Sequence, residues 1–391
     1  MLGWVESRSE CTESSPPHRR SPAFSLPLRA AEPLPKWGYG YDSLLGDLER
    51  WKASPYVKVD SIGASVQGRA IWQVTVTEGA DSLGRDGDPG WRKRRVFVHA
   101  RTHPAEVQAF HVAEAMIRFL LDTGEAASAI RREHIFNILP MYNPDGVELM
   151  HPRENANGVD IESNWNKPVL EAEVAVLKGH FERLMADPVP VEVALNLHSD
   201  RFNCTRFFFF HEAAGTSPDF VELEKDFIGK VRGHFPSGIE EWHFVRSWEV
   251  STGTQYPEGW WWINHREKVM ALTFEDANCP GAGEFDSTAR ALAMGSADYL
   301  EARPASLRPR FAAARETPVL RMPGGFRVPD VHGRGWTHWA LADLSGRRLG
   351  TGGFLAREAS IPARLVQGSP AMLLLSGGHS GGSERLLLPA W

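Results

Sequence analysis

Apolar residues recur along this chain at two spacings, and the two alternate in blocks. Leu44, Leu45, Leu48 and Trp51 share one helical face, with Asp42 and Ser43 placed to cap it. Residues 57–62 and 70–77 read as strands around the turn GASVQGR. Beyond the charged turn GRDGDPGWRKR, Val96, Phe97 and Val98 form another apolar strand. Pro104 marks the first turn of a helix whose face is Phe110, Ala113, Ile117, Leu120 and Leu121. A strand over 135–139, a helix over 169–185 and a strand over 191–198 come next. The aromatic strand RFFFFH, a helix over 218–235, a strand over 269–274 and a helix over 287–300 complete the series. Helices alternating with apolar strands predict an α/β fold with helices packed on the faces of a sheet.

Two segments depart from this pattern. Residues 143–165, NPDGVELMHPRENANGVDIESNW, are rich in Asn, Pro, Asp and Gly, which predicts a long irregular loop with no regular helix in it. After about Pro304 the texture becomes short strands between Gly and Pro, predicting a small β-domain over 304–391. The expected organisation is a disordered leader over 1–36, a catalytic domain over 37–303 and this β-domain.

Composition narrows the function. The chain has 391 residues, 42% of them hydrophobic, so it can bury a substantial core. A net charge of −6 offers no electrostatic footprint for nucleic acid. No apolar run approaches the roughly 18 residues of a membrane helix, and the N-terminus lacks a secretory apolar core. The cytoplasm is therefore the expected compartment. Three cysteines are too few for a disulfide framework; a single Cys204–Cys279 bridge is compatible with the sequence, which does not establish it.

Candidate chemistry gathers where strands end. HPAE follows the strand ending at Ala100 and sets His103 three positions before Glu106, a pair that suits zinc. His198 closes the apolar strand VALNLH and is a candidate third ligand. Glu275, at the end of VMALTFE, is a candidate base. Arg153, inside the long loop, is placed to polarise a carbonyl. GHSGG over 378–382 matches a nucleophile-elbow pattern, but no histidine follows it, so it reads as a turn.

With HPAE, NPDG, RENANGVDIESNW, LHSD and TFE in this order, the chain from about Trp37 to Arg303 resembles the M14 zinc metallocarboxypeptidases of the carboxypeptidase A type. The resemblance implies an α/β/α sandwich around a mixed sheet, and one Zn2+ per chain held by His103, Glu106 and His198. It also implies Glu275 as general base, Arg153 at the scissile carbonyl, a peptide or amide substrate, and a mobile tyrosine, for which Tyr256 is the candidate. Family members carry an Asn-Arg pair that grips the substrate's α-carboxylate; Glu162-Ser163 stands there instead. Glu162 and Ser163 are thus candidate substrate-binding residues for a cationic or neutral terminus, and Arg201 or Arg246 is the alternative clamp. Trp260, in a run of three tryptophans read as a strand, is a further candidate pocket residue. Two other readings stay open: an amidohydrolase of small N-acyl amino acids, and a zinc-binding module without peptidase action.

Overall fold

The structure, a computed structural model, describes residues 35–79, 93–280 and 282–303, together with strands at 320–322, 325–329, 338–343, 348–353, 358–362, 371–376 and 383–388. The expected leader lies outside the described residues except for Pro35 and Lys36. These belong to a 3-10 turn, Pro35–Gly38, where Lys36 Nζ pairs with Glu148 at 2.7 Å. The turn GRDGDPGWRKR lies almost wholly outside the described residues, and GHSGG entirely so.

The chain begins its regular structure with α1 (Tyr41–Lys52), β1 (Val57–Ala64), β2 (Ala70–Val76) and β3 (Arg94–Ala100). Next come α2 (Val107–Leu121), α3 (Glu125–Glu133), β4 (His134–Leu139), α4 (Pro144–Glu148) and α5 (Ala172–Ala186). Then follow β5 (Val191–Asp200), β6 (Phe207–His211), α6 (Pro218–His234), β7 (Val245–Ser247), α7 (Pro257–His265), β8 (Met270–Ala277) and α8 (Phe285–Ala302). The eight strands form one mixed sheet in the order β1-β2-β4-β3-β5-β8-β6-β7. Its centre, β4-β3-β5-β8, is parallel, and both flanks bring antiparallel pairs. This is the expected α/β architecture.

The alternation of the central strands explains why helices cover both faces. Val96 and Val98 on β3, Val193, Leu195 and Leu197 on β5, and Leu272 and Phe274 on β8 share one core with α1, α2, α6 and α8. Phe97, Ala194 and Ala271 point the other way and meet α5 through Val174, Leu177 and Phe181. Gly295 lets α8 approach α6 closely: a Cβ there would lie 2.5 Å from the Val231 Cα.

Four local expectations are corrected. First, residues 143–165 are not wholly irregular. Asn143 caps α4 by accepting from the Gly146 N–H at 3.0 Å, and Pro144 opens the helix, where its missing N–H costs nothing. Gly146 is required there, because a Cβ would lie 2.4 Å from the Glu154 carbonyl oxygen. Second, Trp260, Trp261 and Trp262 lie on α7, which starts at Pro257 after the extended residue Tyr256. Aromatic runs favour strands by propensity, but Pro at the first helical position overrides that here. Third, α2 starts at Val107, so His103 and Pro104 belong to the turn before it. Similarly α1 starts at Tyr41 ahead of the expected caps, its N–H bound by Glu148 Oε1, and Leu45 faces solvent.

A disulfide, Cys204–Cys279, with Cα atoms 5.5 Å apart, ties the segment after β5 to the segment after β8. The strands after residue 319 pair antiparallel in two further sheets. One is a three-stranded sheet of β9 (Leu320–Met322), β10 (Gly325–Pro329) and β13 (Glu358–Pro362). The other is a four-stranded sheet of β11 (His338–Asp343), β12 (Arg348–Gly353), β14 (Ala371–Ser376) and β15 (Ser383–Leu388). No described helix is long and apolar enough to cross a membrane.

Candidate active site

One face of the sheet changes character along its strands. On β5 the residues facing α5 run Ala194, Asn196, His198; on β8 they run Ala271, Thr273, Glu275. The opposite face stays apolar over the same span, with Leu195, Leu197, Leu272 and Phe274. Parallel pairing sets His198 beside Glu275 and Asn196 beside Thr273. A cavity of about 360 Å³ opens over this polar patch, lined in part by His103, Glu106, Arg153, His198 and Glu275.

The turn after β3 delivers the next two groups. Arg101 takes a left-handed backbone conformation (φ 60°), and its buried guanidinium donates to the Pro104 carbonyl at 2.7 and 2.9 Å. The chain thereby folds back so that His103 and Glu106 face β5. His103 Nδ1 lies 2.8 Å from Glu106 Oε1, His198 Nδ1 lies 2.8 Å from Glu106 Oε2, and the two Nδ1 atoms are 3.1 Å apart. Tetrahedral zinc with Zn–N near 2.0–2.1 Å sets ligand atoms about 3.3 Å apart. Among the described residues, these three form the one group of His, Cys, Asp and Glu side chains able to hold a metal ion, and the donor set fits zinc.

The electrostatics agree with a cation site. Burial alone would lower both imidazoles, but Asp160 and Glu106 raise His103, and Glu106 and Glu162 raise His198 well above the usual histidine range. Burial would raise Glu106, yet the His198 and His103 rings hold it far below an ordinary carboxylate. The cluster therefore attracts positive charge onto its nitrogens, where a metal ion would take the place of protons. Burial pushes Glu275 up to about 8, with Glu106 and Asp200 adding to the rise.

The long loop is stapled to the β1–β2 turn. Buried Asp145 accepts from Ser65 Oγ at 2.8 Å, the Gln67 N–H at 2.7 Å and Arg69 Nη1 at 2.7 Å. Asn155 donates to Glu173 at 2.9 Å from the loop's other side. Held this way, the loop brings Arg153 to the cavity, where its Nη2 lies 3.0 Å from Asp160 Oδ2.

The remaining wall carries residues that motif reasoning missed. Glu258, in the first turn of α7, accepts from Asn196 Nδ2 at 3.1 Å and Thr273 Oγ1 at 2.9 Å. The same Asn196 nitrogen donates to Glu162 at 3.0 Å, so two buried carboxylates share one amide. Burial and the Glu162 charge raise Glu258; burial opposes the Glu162 charge, but His198 holds that group low. His211 lines the cavity with its Nδ1 2.7 Å from buried Glu224, and its ring lies against Trp248 at 3.8 Å. Period-two alternation on β5, β6 and β8 was the available signal for Asn196, His211 and Thr273. Glu258 carried none while its segment read as a strand.

Of the sequence candidates, His103, Glu106, His198, Glu275, Arg153, Glu162 and Tyr256 converge on the cavity. Ser163 does not line it; its hydroxyl turns back to the Asp160 carbonyl at 3.4 Å. Trp260 is 8% exposed and packs against Trp165, Phe181 and Trp261 in the core, because α7 turns it away from the cavity. Neither alternative clamp reaches the site: Arg201 lies exposed near the Phe202 ring, and Arg246 pairs with Glu212 at the surface.

Fold and site together define a zinc carboxypeptidase architecture, and comparisons with known proteins agree. The zinc carboxypeptidase model Peptidase_M14 matches residues 47–187, a span that includes His103, Glu106, Arg153 and Glu162. Over that span the chain is similar to the M14 zinc carboxypeptidase family. Cytosolic carboxypeptidase 6 of Caenorhabditis elegans is 30% identical over 194 residues, 46% of this chain and 40% of that protein. Cytosolic carboxypeptidase 6 of Homo sapiens is 34% identical over 109 residues, 28% of this chain and 21% of that protein. The chain thus spans less than half the length of the curated relatives it matches. Among solved structures, a metallo-carboxypeptidase from Pseudomonas aeruginosa in complex with (2-guanidinoethylmercapto)succinic acid matches with TM-score 0.55 at 22% identity, covering 67% of this chain and 68% of that one. A metallo-carboxypeptidase from Burkholderia cenocepacia matches with TM-score 0.54 at 19% identity, over 67% and 70%. At these identities the two structures speak for the fold.

Proposed function

We propose that this chain is a metal-dependent peptidase that hydrolyses a peptide or amide bond beside a cationic or neutral substrate terminus. The observation that carries the reading is the charge of the cavity wall. Among the described residues Arg153 is its one arginine, whereas Glu162 and Glu258 stand together on Asn196. A free carboxylate has no bidentate partner there and meets like charge. An ammonium or amide group can donate to Glu258 instead.

His103, Glu106 and His198 would hold the metal, which supplies a Lewis acid that acidifies water and polarises the scissile carbonyl. Glu275 takes the proton of the attacking water and returns it to the leaving nitrogen as the C–N bond breaks. Arg153 steadies the oxyanion by donating to it, and its Asp160 partner limits how far it swings. Tyr256, at the start of α7, faces the same space and can close over the substrate. The separate sheets after residue 319 support reading 304–391 as an accessory β-domain.

The test is release of the terminal residue from matched peptides by zinc-loaded protein. One peptide ends in a free α-carboxylate, the other in an amide or an added amine. Faster cleavage of the second, with Glu258→Gln reducing that preference roughly tenfold, is the expected result. Preference for the carboxylate overturns the recognition half of the proposal; cleavage of neither overturns peptidase action.

A further inference from the structure

Each metal-directed histidine has a second ring nitrogen, and both meet a carboxylate from one short turn. His103 Nε2 lies 3.2 Å from Asp160 Oδ1, and His198 Nε2 lies 3.4 Å from Glu162 Oε2. Asp160 and Glu162 are two residues apart at the 3-10 turn Ile161–Ser163, where Asp160 also caps the Glu162 N–H at 3.0 Å. Neither His198 Nε2 nor Glu162 Oε2 reaches solvent, and neither makes a hydrogen bond, so the 3.4 Å ion-pair contact between them is what each has. The other Glu162 oxygen is fixed by Asn196, two residues before His198 on the same strand. Glu162 is therefore held against the back of His198 and is not free to swing out to a ligand.

We infer that Glu162 is a positioning residue for the metal: it accepts from His198 Nε2–H, fixes the tautomer that leaves Nδ1 free as a ligand, and locks the ring's orientation. An acceptor behind a metal-bound imidazole raises the basicity of the ligating nitrogen, and losing one typically lowers metal affinity roughly 10–100-fold. Asp160 serves His103 in the same way, so one turn orients both imidazoles. This accounts for the lost Asn-Arg pair in physical terms. Position 162 is taken up by the metal's own support, and Glu258 alone of the two shared carboxylates faces substrate without a histidine behind it. The inference rests on the metal site proposed above.

The test measures zinc affinity of the full chain by competition with a chromophoric chelator, and the visible spectrum of the cobalt-loaded protein. Glu162→Gln keeps the side-chain volume and is expected to weaken zinc binding 10–100-fold, as Asp160→Asn does. It is also expected to shift the cobalt bands while the chelator-stripped protein keeps a cooperative thermal unfolding transition. Glu258→Gln removes a carboxylate from the same Asn196 and controls for the general field; it is expected to leave both readouts near wild type. Unchanged affinity and spectrum in Glu162→Gln and Glu162→Ala overturns the assignment. So does an equal loss in Glu258→Gln, which assigns the effect to charge alone. Wild-type protein that takes up neither zinc nor cobalt removes the metal site itself, an outcome distinct from either.

Discussion

The two walls of the cavity meet over one face of the sheet, yet they obey different rules. The wall to which we assign hydrolysis, His103, Glu106, His198 and Glu275, matches the M14 pattern at every position, and its first three side chains are fixed by one another and by Asp160 and Glu162. The wall to which we assign recognition departs from that pattern: two carboxylates share Asn196, and His211 leans on Glu224. Chemistry fixes the residue types on the first wall, because few side chains ligate zinc or carry a proton. Recognition fixes only complementarity to a substrate, so the second wall can change charge while the fold stays the same.

The largest effect should come from the first wall. Glu275→Gln removes the proton carrier and is expected to lower kcat roughly 10²–10⁴-fold on every substrate, with KM nearly unchanged. A change confined to KM would move Glu275 to the recognition wall and dissolve the distinction. Trp260→Ala marks where the second wall stops. It should cost about 3–5 kcal/mol of stability in urea unfolding, since it empties a packed aromatic site, and leave substrate affinity alone. Weakened affinity in a variant that remains folded would extend the wall to α7's far side.

The smallest effect probes the support beneath the first wall. Burial would raise the Asp160 carboxyl, but His103 and Arg153 hold it at about 2, below its ordinary 3.8. A depressed carboxylate stabilises the fold above its unfolded pKa, and that contribution is lost as pH falls from 3.8 through 2. In chelator-treated protein, Asp160→Asn should therefore cost at most about 2 kcal/mol at pH 7, and less as pH is lowered through that window. A penalty independent of pH would show that Asp160 supports the site by shape and not by charge.

That the residues of the first wall come together was legible in the sequence, because each sits in a short motif beside a strand end. HPAE, LHSD and TFE are each weak alone and gain weight from their combination and their order in the chain. The sheet was legible for a related reason, since Val96–Val98 or Leu195–Leu197 can only be buried strands. The recognition wall was not, because its members meet through space. Asn196 joins Glu162 and Glu258, which lie 34 and 62 positions from it, and no local pattern marks the encounter. The tryptophan run misled because β-propensity is read from residue type, whereas Pro257 and the packing of Trp260 and Trp261 under α5 settled the helix. Asn143-Pro144 was read as a turn for its composition, though the same two residues are a cap and a first helical position.

The pairing of β5 with β8 carries a consequence for how this protein tolerates insertions and deletions. His198 stands opposite Glu275 only because the two strands share one register, and that register also buries Leu272 and Phe274 on the other face. A strand has no intermediate settings: moving β8 by one residue turns Glu275 into the apolar core and Phe274 toward the metal ligands. The side chains that hold the sheet together and those that face the substrate are thus consecutive letters of one word. A single-residue insertion between Met270 and Glu275 misspells both at once, whereas the loops around the rim can lengthen without touching either.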